Sequence, residues 1–176
     1  MAKAFTQLTF TPAVRALQER YGSREAYQRF ELGPVSGDRL GPSEQEFVRD
    51  RDGFYQSTVA ANGWPYTQFR GGPRGFLRVL DEKTIGYADF RGNKQYLSVG
   101  NLAGDDKIML FLMDYAHQER LKIWGRARVS EDPAIIQQLQ MPDYPAKVER
   151  AILITIEAYD WNCSQHIPQR FTREEL

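Results

Sequence analysis

The stretch YADFRGNKQYLSVGN, residues 87–101, puts Arg91, Gly92, Asn93 and Lys94 where a strand-like run gives way to a helix-like one. Asn93 is placed to cap a helix beginning near Lys94. The free amides of such a first turn, with the positive end of the helix dipole, make an anion site. Lys94 adds a point charge, Gly92 lets backbone approach a ligand closely, and Arg91 stands beside them. The chemistry is capture of a phosphate. A solvated, well-capped surface turn uses the same residue types, and the corner alone does not separate the two readings.

Two further basic elements bear on that choice. QFRGGPRGFLRV places Arg70 at the end of one strand and Arg78 in the next. If these strands and the corner follow one another in a meander, Arg70 or Arg78 meets Lys94, and together they suit a phosphomonoester. ERLKIWGRARVS sets Arg120, Lys122, Trp124, Arg126 and Arg128 on one face of an alternating strand. That face is read first as solvated or subunit-facing, with Gln118 and Arg120 at its start as candidate ligand contacts.

Other chemistry is missing. His117 and His166 have no cysteine or carboxylate at metal-ligand spacing, so no metal site is expected. Ser57, Ser98 and Ser164 lie in no nucleophile-elbow pattern. His117 reads as a strand-end polar residue and Cys163 as a small packed one. No P-loop or dinucleotide fingerprint occurs. A phosphate pocket without a protein nucleophile points to a cofactor that brings its own chemistry.

The elements that must position these residues are mostly strands. TPAVRALQERYG opens with Thr11-Pro12 and closes at Gly22, a helix. SREAYQRFELG extends the helical region, PVSGDRLGP is loop, and SEQEFVRDRD carries Ser43 and Glu46 at capping-box spacing. FYQSTVAANGWPYTQFR is a hairpin about Asn62-Gly63, a pair that tolerates positive φ. GFLRVLDEKTIGYADF is a second hairpin about Asp81-Glu82-Lys83. KIMLFLMDY reads as a strand buried on both faces, DPAIIQQLQM as a helix capped by Asp132 with Pro133 at its first position, and ERAILITIEAYDWN as the last strand. Six or seven antiparallel strands with helices at the edges predict a mainly β fold, a small β-barrel with peripheral helices. The expected organisation is a helical extension over 1–44 and a barrel over 45–176.

With 176 residues the chain is long enough for one sizeable core. Formal net charge is zero, yet residues 70–128 hold eleven Lys/Arg against seven Asp/Glu. A neutral chain with a basic middle argues against nucleic-acid binding, which needs many phosphates neutralised, and suits a small anionic ligand. No run approaches the ~20 apolar residues of a membrane helix. The single cysteine and the absence of a secretory-type apolar core near Met1 predict a cytoplasmic protein.

The segment from NGWPYTQFRGG through FRGNKQYLSVGN to KIWGRARVSED resembles the pyridoxamine 5'-phosphate oxidase-related, FMN-binding proteins, over roughly residues 45–172. AYDWNCSQHIPQRFT is similar to the closing segment of one branch of that group. The resemblance implies a split barrel that dimerises and holds FMN at the subunit interface. It places the family's strand-end tyrosine and phosphate-binding turn on Tyr87-Ala88 and Asn93-Lys94. It implies Phe76, Leu77 and Arg78 along the flavin ring, the amides of Asp89 and Phe90 near it, and Arg70 as a second phosphate ligand. A family glutamine falls near Gln118 to Leu121, which includes Arg120, and a late tryptophan on Trp161. The implied function is an FMN-dependent oxidoreductase of unknown substrate; the alternative is a non-catalytic carrier of flavin or a related pigment. Some split barrels take a deazaflavin or haem-related ligand instead. The oxidase's terminal Arg/His motif is not reproduced in IPQRFTREEL, where Arg170 is the only candidate, so pyridoxamine phosphate is not carried over as substrate.

Overall fold

The computed structural model describes residues 1–173, 175 and 176. Among the described residues four α-helices come first: α1 (Lys3–Thr9), α2 (Pro12–Arg20), α3 (Arg24–Gln28) and α4 (Pro42–Arg49). The strands are β1 (Gly53–Val59), β2 (Pro65–Gly71), β3 (Arg78–Val79), β4 (Thr84–Phe90), β5 (Lys107–Asp114), β6 (Glu119–Ser130) and β7 (Val148–Trp161). Two helices interrupt them, α5 (Leu97–Gly104) and α6 (Pro133–Leu139).

All seven strands form one antiparallel sheet in the order β2-β1-β5-β6-β7-β4-β3. The consecutive strands β2 and β3 therefore lie at opposite edges, and the meander expected from residue 65 onward is corrected: β4 pairs with β7. The sheet curls until its two edges face each other. Phe54 of β1 stacks on Phe76 at 5.6 Å and meets Tyr87 of β4 at 5.4 Å. The Tyr87 hydroxyl donates to Gln56 of β1, and Arg70 of β2 pairs with Asp89 of β4 at 2.8 Å. Side chains, with no backbone ladder among the described residues, bridge this seam, so the barrel is split.

The barrel interior is the main core, with Phe54, Leu110, Leu112, Leu121, Ile123, Ile152 and Ile154 all buried. The alternation of β6 is seen directly, Leu121, Ile123 and Ala127 inside and Arg126 and Arg128 outside. Gly125 sits where β7 has one extra residue, Ala158 opposing Trp124 and Ile156 opposing Gly125. There β7 backbone comes too close for any side chain: a Cβ on Gly125 would lie 2.5 Å from the Thr155 carbonyl oxygen.

Helices start where a cap and a proline coincide. Thr11 accepts from the Val14 amide at 3.3 Å, and Asp132 from that of Ala134 at 2.9 Å. Ser43 is not a cap; α4 starts at Pro42, and Glu44 reaches back to the Gly41 amide at 3.0 Å. Proline at the first position fixed the start ahead of the serine. Helix α1 lies within the expected helical extension, though no cap or proline marks its start. Its Phe5, with Phe10, packs on Trp124 and Ala158, covering part of the basic face of β6. Lys122 there is not solvated as expected, but lies against the Phe5 and Trp124 rings and 3.4 Å from buried Asp160.

Strand β5 is fully buried on one face only. Ile108, Leu110 and Leu112 point inward, while Met109, Phe111 and Met113 are half-buried. Beside them on the outer face lie Tyr55, 40% exposed, and Phe69, 58% exposed, their rings 5.4 Å apart. An apolar outer face is the physical reason that the strand reads as continuous.

Candidate functional site

The seam between β2 and β4 opens into two adjoining cavities. One, of about 210 Å³, is lined by Phe69, Arg70, Phe76, Tyr87, Ala88 and Phe90 among others. The second lies under the 91–96 turn and is lined by Gln68, Arg70, Asp89, Asn93, Lys94, Tyr96 and the first residues of α5. Of the sequence candidates, Arg70, Phe76, Tyr87, Ala88, Asp89, Phe90, Asn93 and Lys94 are thus brought together.

The turn is built differently from the expectation. Asn93 does not cap a helix at Lys94; α5 begins three residues later, with Tyr96 at the capping position and no side-chain cap. Asn93 instead accepts from the Gln95 amide at 3.1 Å, closing a local turn. Lys94 and Tyr96 both adopt left-handed backbone, φ 62° and 55°. For non-glycine residues this conformation stores roughly 1–3 kcal/mol each and concentrates at functional sites. The uncapped start of α5 leaves the amides of Leu97, Ser98 and Val99 without intrahelical partners, and all three residues line the cavity.

Charge at the corner is arranged around Asp89. Arg70 lies 2.8 Å from it and Arg150, its cross-strand neighbour on β7, 3.8 Å. Arg150 also reaches Glu149 at 3.0 Å and covers the Tyr96 ring at 5.1 Å. Glu149 binds Arg91 at 2.8 Å, and this hydrogen bond, with the nearby Arg150, holds its carboxyl below the usual range. Four cations, Arg70, Arg91, Lys94 and Arg150, thus face two carboxylates. Lys94 makes no ion pair among the described residues. The Nε atoms of Arg70 and Arg150 are buried without a partner. Such donors are costly to leave unmet, and with the surplus positive charge they fit a phosphate. Burial pushes the Asp89 carboxyl up, against the pull of Arg70 and Arg150. Burial likewise raises the Tyr87 hydroxyl, which stays a neutral donor.

The remaining candidates lie elsewhere in the chain. Leu77 is wholly within the core. Arg78 turns to Met141, its Nη2 3.4 Å from the sulfur, and does not meet Lys94. Gln118, in the β5–β6 turn, donates to the Ile167 carbonyl at 2.6 Å. Trp161 donates to Glu44 at 2.7 Å and packs edge-on against Phe47. It lines a separate cleft with Arg51, Asp114 and His117, which does not include Arg120. In that cleft burial raises the Asp114 carboxyl, but bonds from His117 and Arg51 outweigh it and leave it below the usual range. Sequence reasoning missed Arg150, Gln68, Tyr96 and Ser98. Only the pairing of β4 with β7 brings Arg150 to Asp89, and nothing local announces it. Among the described residues no three His, Cys, Asp or Glu side chains could hold a metal ion, and no helix is long and apolar enough to cross a membrane.

The curled sheet and its edge-to-edge seam define a split β-barrel. The family model described as pyridoxamine 5'-phosphate oxidase matches residues 40–161, and the chain belongs to that family. No curated protein sequence matches it. Similar solved folds include HupZ of Group A Streptococcus, at 14% identity and TM-score 0.57 over 75% of this chain and 99% of that one. Another is a pyridoxamine 5'-phosphate oxidase-like protein from Lactobacillus delbrueckii, at 20% identity and TM-score 0.55 over 73% and 99%. A third, described as an FMN-binding protein from Syntrophomonas wolfei, has 12% identity and TM-score 0.53 over 86% and 97%.

Proposed function

We propose that this chain is an FMN-binding flavoprotein of the oxidoreductase class, acting in the cytoplasm as a homodimer with the flavin at the subunit interface. The observation that carries the reading is the corner itself, where four cations face two carboxylates and two buried guanidinium Nε atoms have no partner. Arg70, Lys94 and Arg150, with the first amides of α5, would hold the phosphate; Phe76, Tyr87, Ala88 and Phe90 would line the ring side. FMN supplies electron transfer at its isoalloxazine, chemistry for which the protein residues need only bind, orient and exclude water. The uncovered face of Tyr55, Phe69, Met109 and Phe111 supports the dimer, because apolar surface of this kind is what association buries. Cys163 is exposed rather than packed as its sequence context suggested, and as a free thiol it is in keeping with a reducing compartment.

Lys94→Ala is expected to weaken FMN binding by at least about 1.5 kcal/mol, roughly tenfold in Kd. A fluorescence titration checks this, and unchanged affinity would remove Lys94 from the site. One observation favours a second reading, a carrier without turnover: both carboxylates of the corner are engaged by arginines. Oxidation of NADH or NADPH by the FMN-loaded protein, with oxygen or a dye as acceptor, separates the two.

A further inference from the structure

An acid in the middle of a phosphate corner works against the ligand unless it has its own role. Asp89 is such an acid, its side chain 7% exposed. The groups around it come from three strands and the turn: Arg70 on β2, Arg150 and Glu149 on β7, Tyr87 on its own strand, and Lys94, which lines the same cavity; Arg91 pairs with Glu149 rather than with Asp89. Its closest contact, Arg70 Nη1 at 2.8 Å, occupies the cation that lines both cavities. Resting on the flavin-phosphate reading, we propose that Asp89 is the specificity-determining residue of the corner: it holds Arg70 as an internal counter-ion, and a phosphomonoester displaces it with uptake of one proton by the Asp89 carboxyl.

Competition for Arg70 and proton linkage both enter the exchange. Ionised Asp89 and a phosphate dianion ask for the same guanidinium at close range, and like charges at that range do not both remain ionised cheaply. One must give. Glu149 is held ionised by Arg91 and Arg150. Asp89 is already biased toward its neutral form by burial, so it is the group that takes the proton, drawn from solvent. A bound anion raises the Asp89 pKa further, so binding takes up protons and affinity rises as pH falls through that range. Once neutral, Asp89 has a hydroxyl to donate and leaves Arg70 to the ligand. The coupling acts on phosphate charge, so it discriminates a phosphomonoester from the same flavin without one.

The test compares FMN and riboflavin binding to the full chain and to Asp89→Asn, by flavin fluorescence between pH 5.5 and 8.5. Asparagine is a permanent stand-in for the neutral carboxyl. The variant is expected to bind FMN at least tenfold more tightly than the unsubstituted protein at pH 8.5, with the ratio falling as the pH is lowered to 5.5. The phosphate's own titration near pH ~6 cancels in that ratio. For riboflavin the ratio stays near one throughout. Calorimetry of the unsubstituted protein at pH 7.5, in two buffers of different ionisation enthalpy, should show protons taken up on binding FMN, a readout that does not depend on the variant folding. A variant that binds FMN more weakly, a pH-independent ratio, the same ratio for riboflavin, or no proton uptake would each overturn the coupling. Loss of the coupling with FMN still bound leaves the flavin reading standing; failure of both proteins to bind FMN at any pH overturns both.

Discussion

Arg70→Ala is expected to abolish retention of FMN and to lower the stability of the ligand-free protein by about 3 kcal/mol at pH 8. Both effects come from one guanidinium. Toward the proposed ligand it would be a charge-assisted donor, its Nε being unmet, a class of bond worth more than a neutral one. Toward the fold it bridges the split, joining β2 to β4 across a seam that has no backbone ladder among the described residues. Removing it strands Asp89 in a buried site with only Arg150, at 3.8 Å, to oppose its charge. The sign with pH follows from the raised Asp89 pKa. Without Arg70 the stranded carboxyl prefers its neutral form more strongly, so the penalty is greatest at high pH and shrinks as acid protonates it. Urea unfolding at pH 5 and pH 8 measures this. An equal loss at both values would show that Arg70 acts through packing alone.

The second large effect is on the sheet. Gly125→Ala is expected to cost about 3 kcal/mol, the upper part of the usual range for overpacking. The added methyl would lie 2.5 Å from the Thr155 carbonyl oxygen and 2.7 Å from Ile154 Cγ2. Neither neighbour yields readily. Thr155 is main chain in the ladders that join β7 to β4 and β6, and Ile154 is fully buried. Gly92→Ala, where nothing lies within 4 Å of the new Cβ, is the matched control and should unfold within ~0.5 kcal/mol of the parent. If both variants unfold alike, the close approach at the bulge carries no cost and the register of β6 on β7 is looser than described.

The parts of this account that the sequence carries are local. Asn62-Gly63 closes a hairpin, Thr11-Pro12 and Asp132-Pro133 start helices, and the alternation of β6 sorts inside from outside. Each is fixed by residues a few positions apart. Arg70, Asp89 and Lys94 were legible as residue types, and the structure gathers them. What brings them together was not, because the seam depends on curling a sheet whose edges are 19 residues of chain apart at their ion pair, Arg70 to Asp89. Arg150 is the clearest loss. It is an ordinary basic residue at the start of a strand until β7 pairs with β4 and sets it opposite Asp89. Asn93 failed for a different reason: a left-handed Lys94 and Tyr96 delay the helix, and that backbone choice has no signature in residues that are not glycine.

An absorption spectrum decides whether the corner under residues 91–96 holds the phosphate of a flavin. The purified protein is mixed with FMN, freed of excess ligand at low salt, and scanned in the visible. A retained flavin spectrum close to one FMN per chain is expected, lost when riboflavin replaces FMN under the same wash. A folded protein that retains neither, or that retains riboflavin as well as FMN, would contradict it.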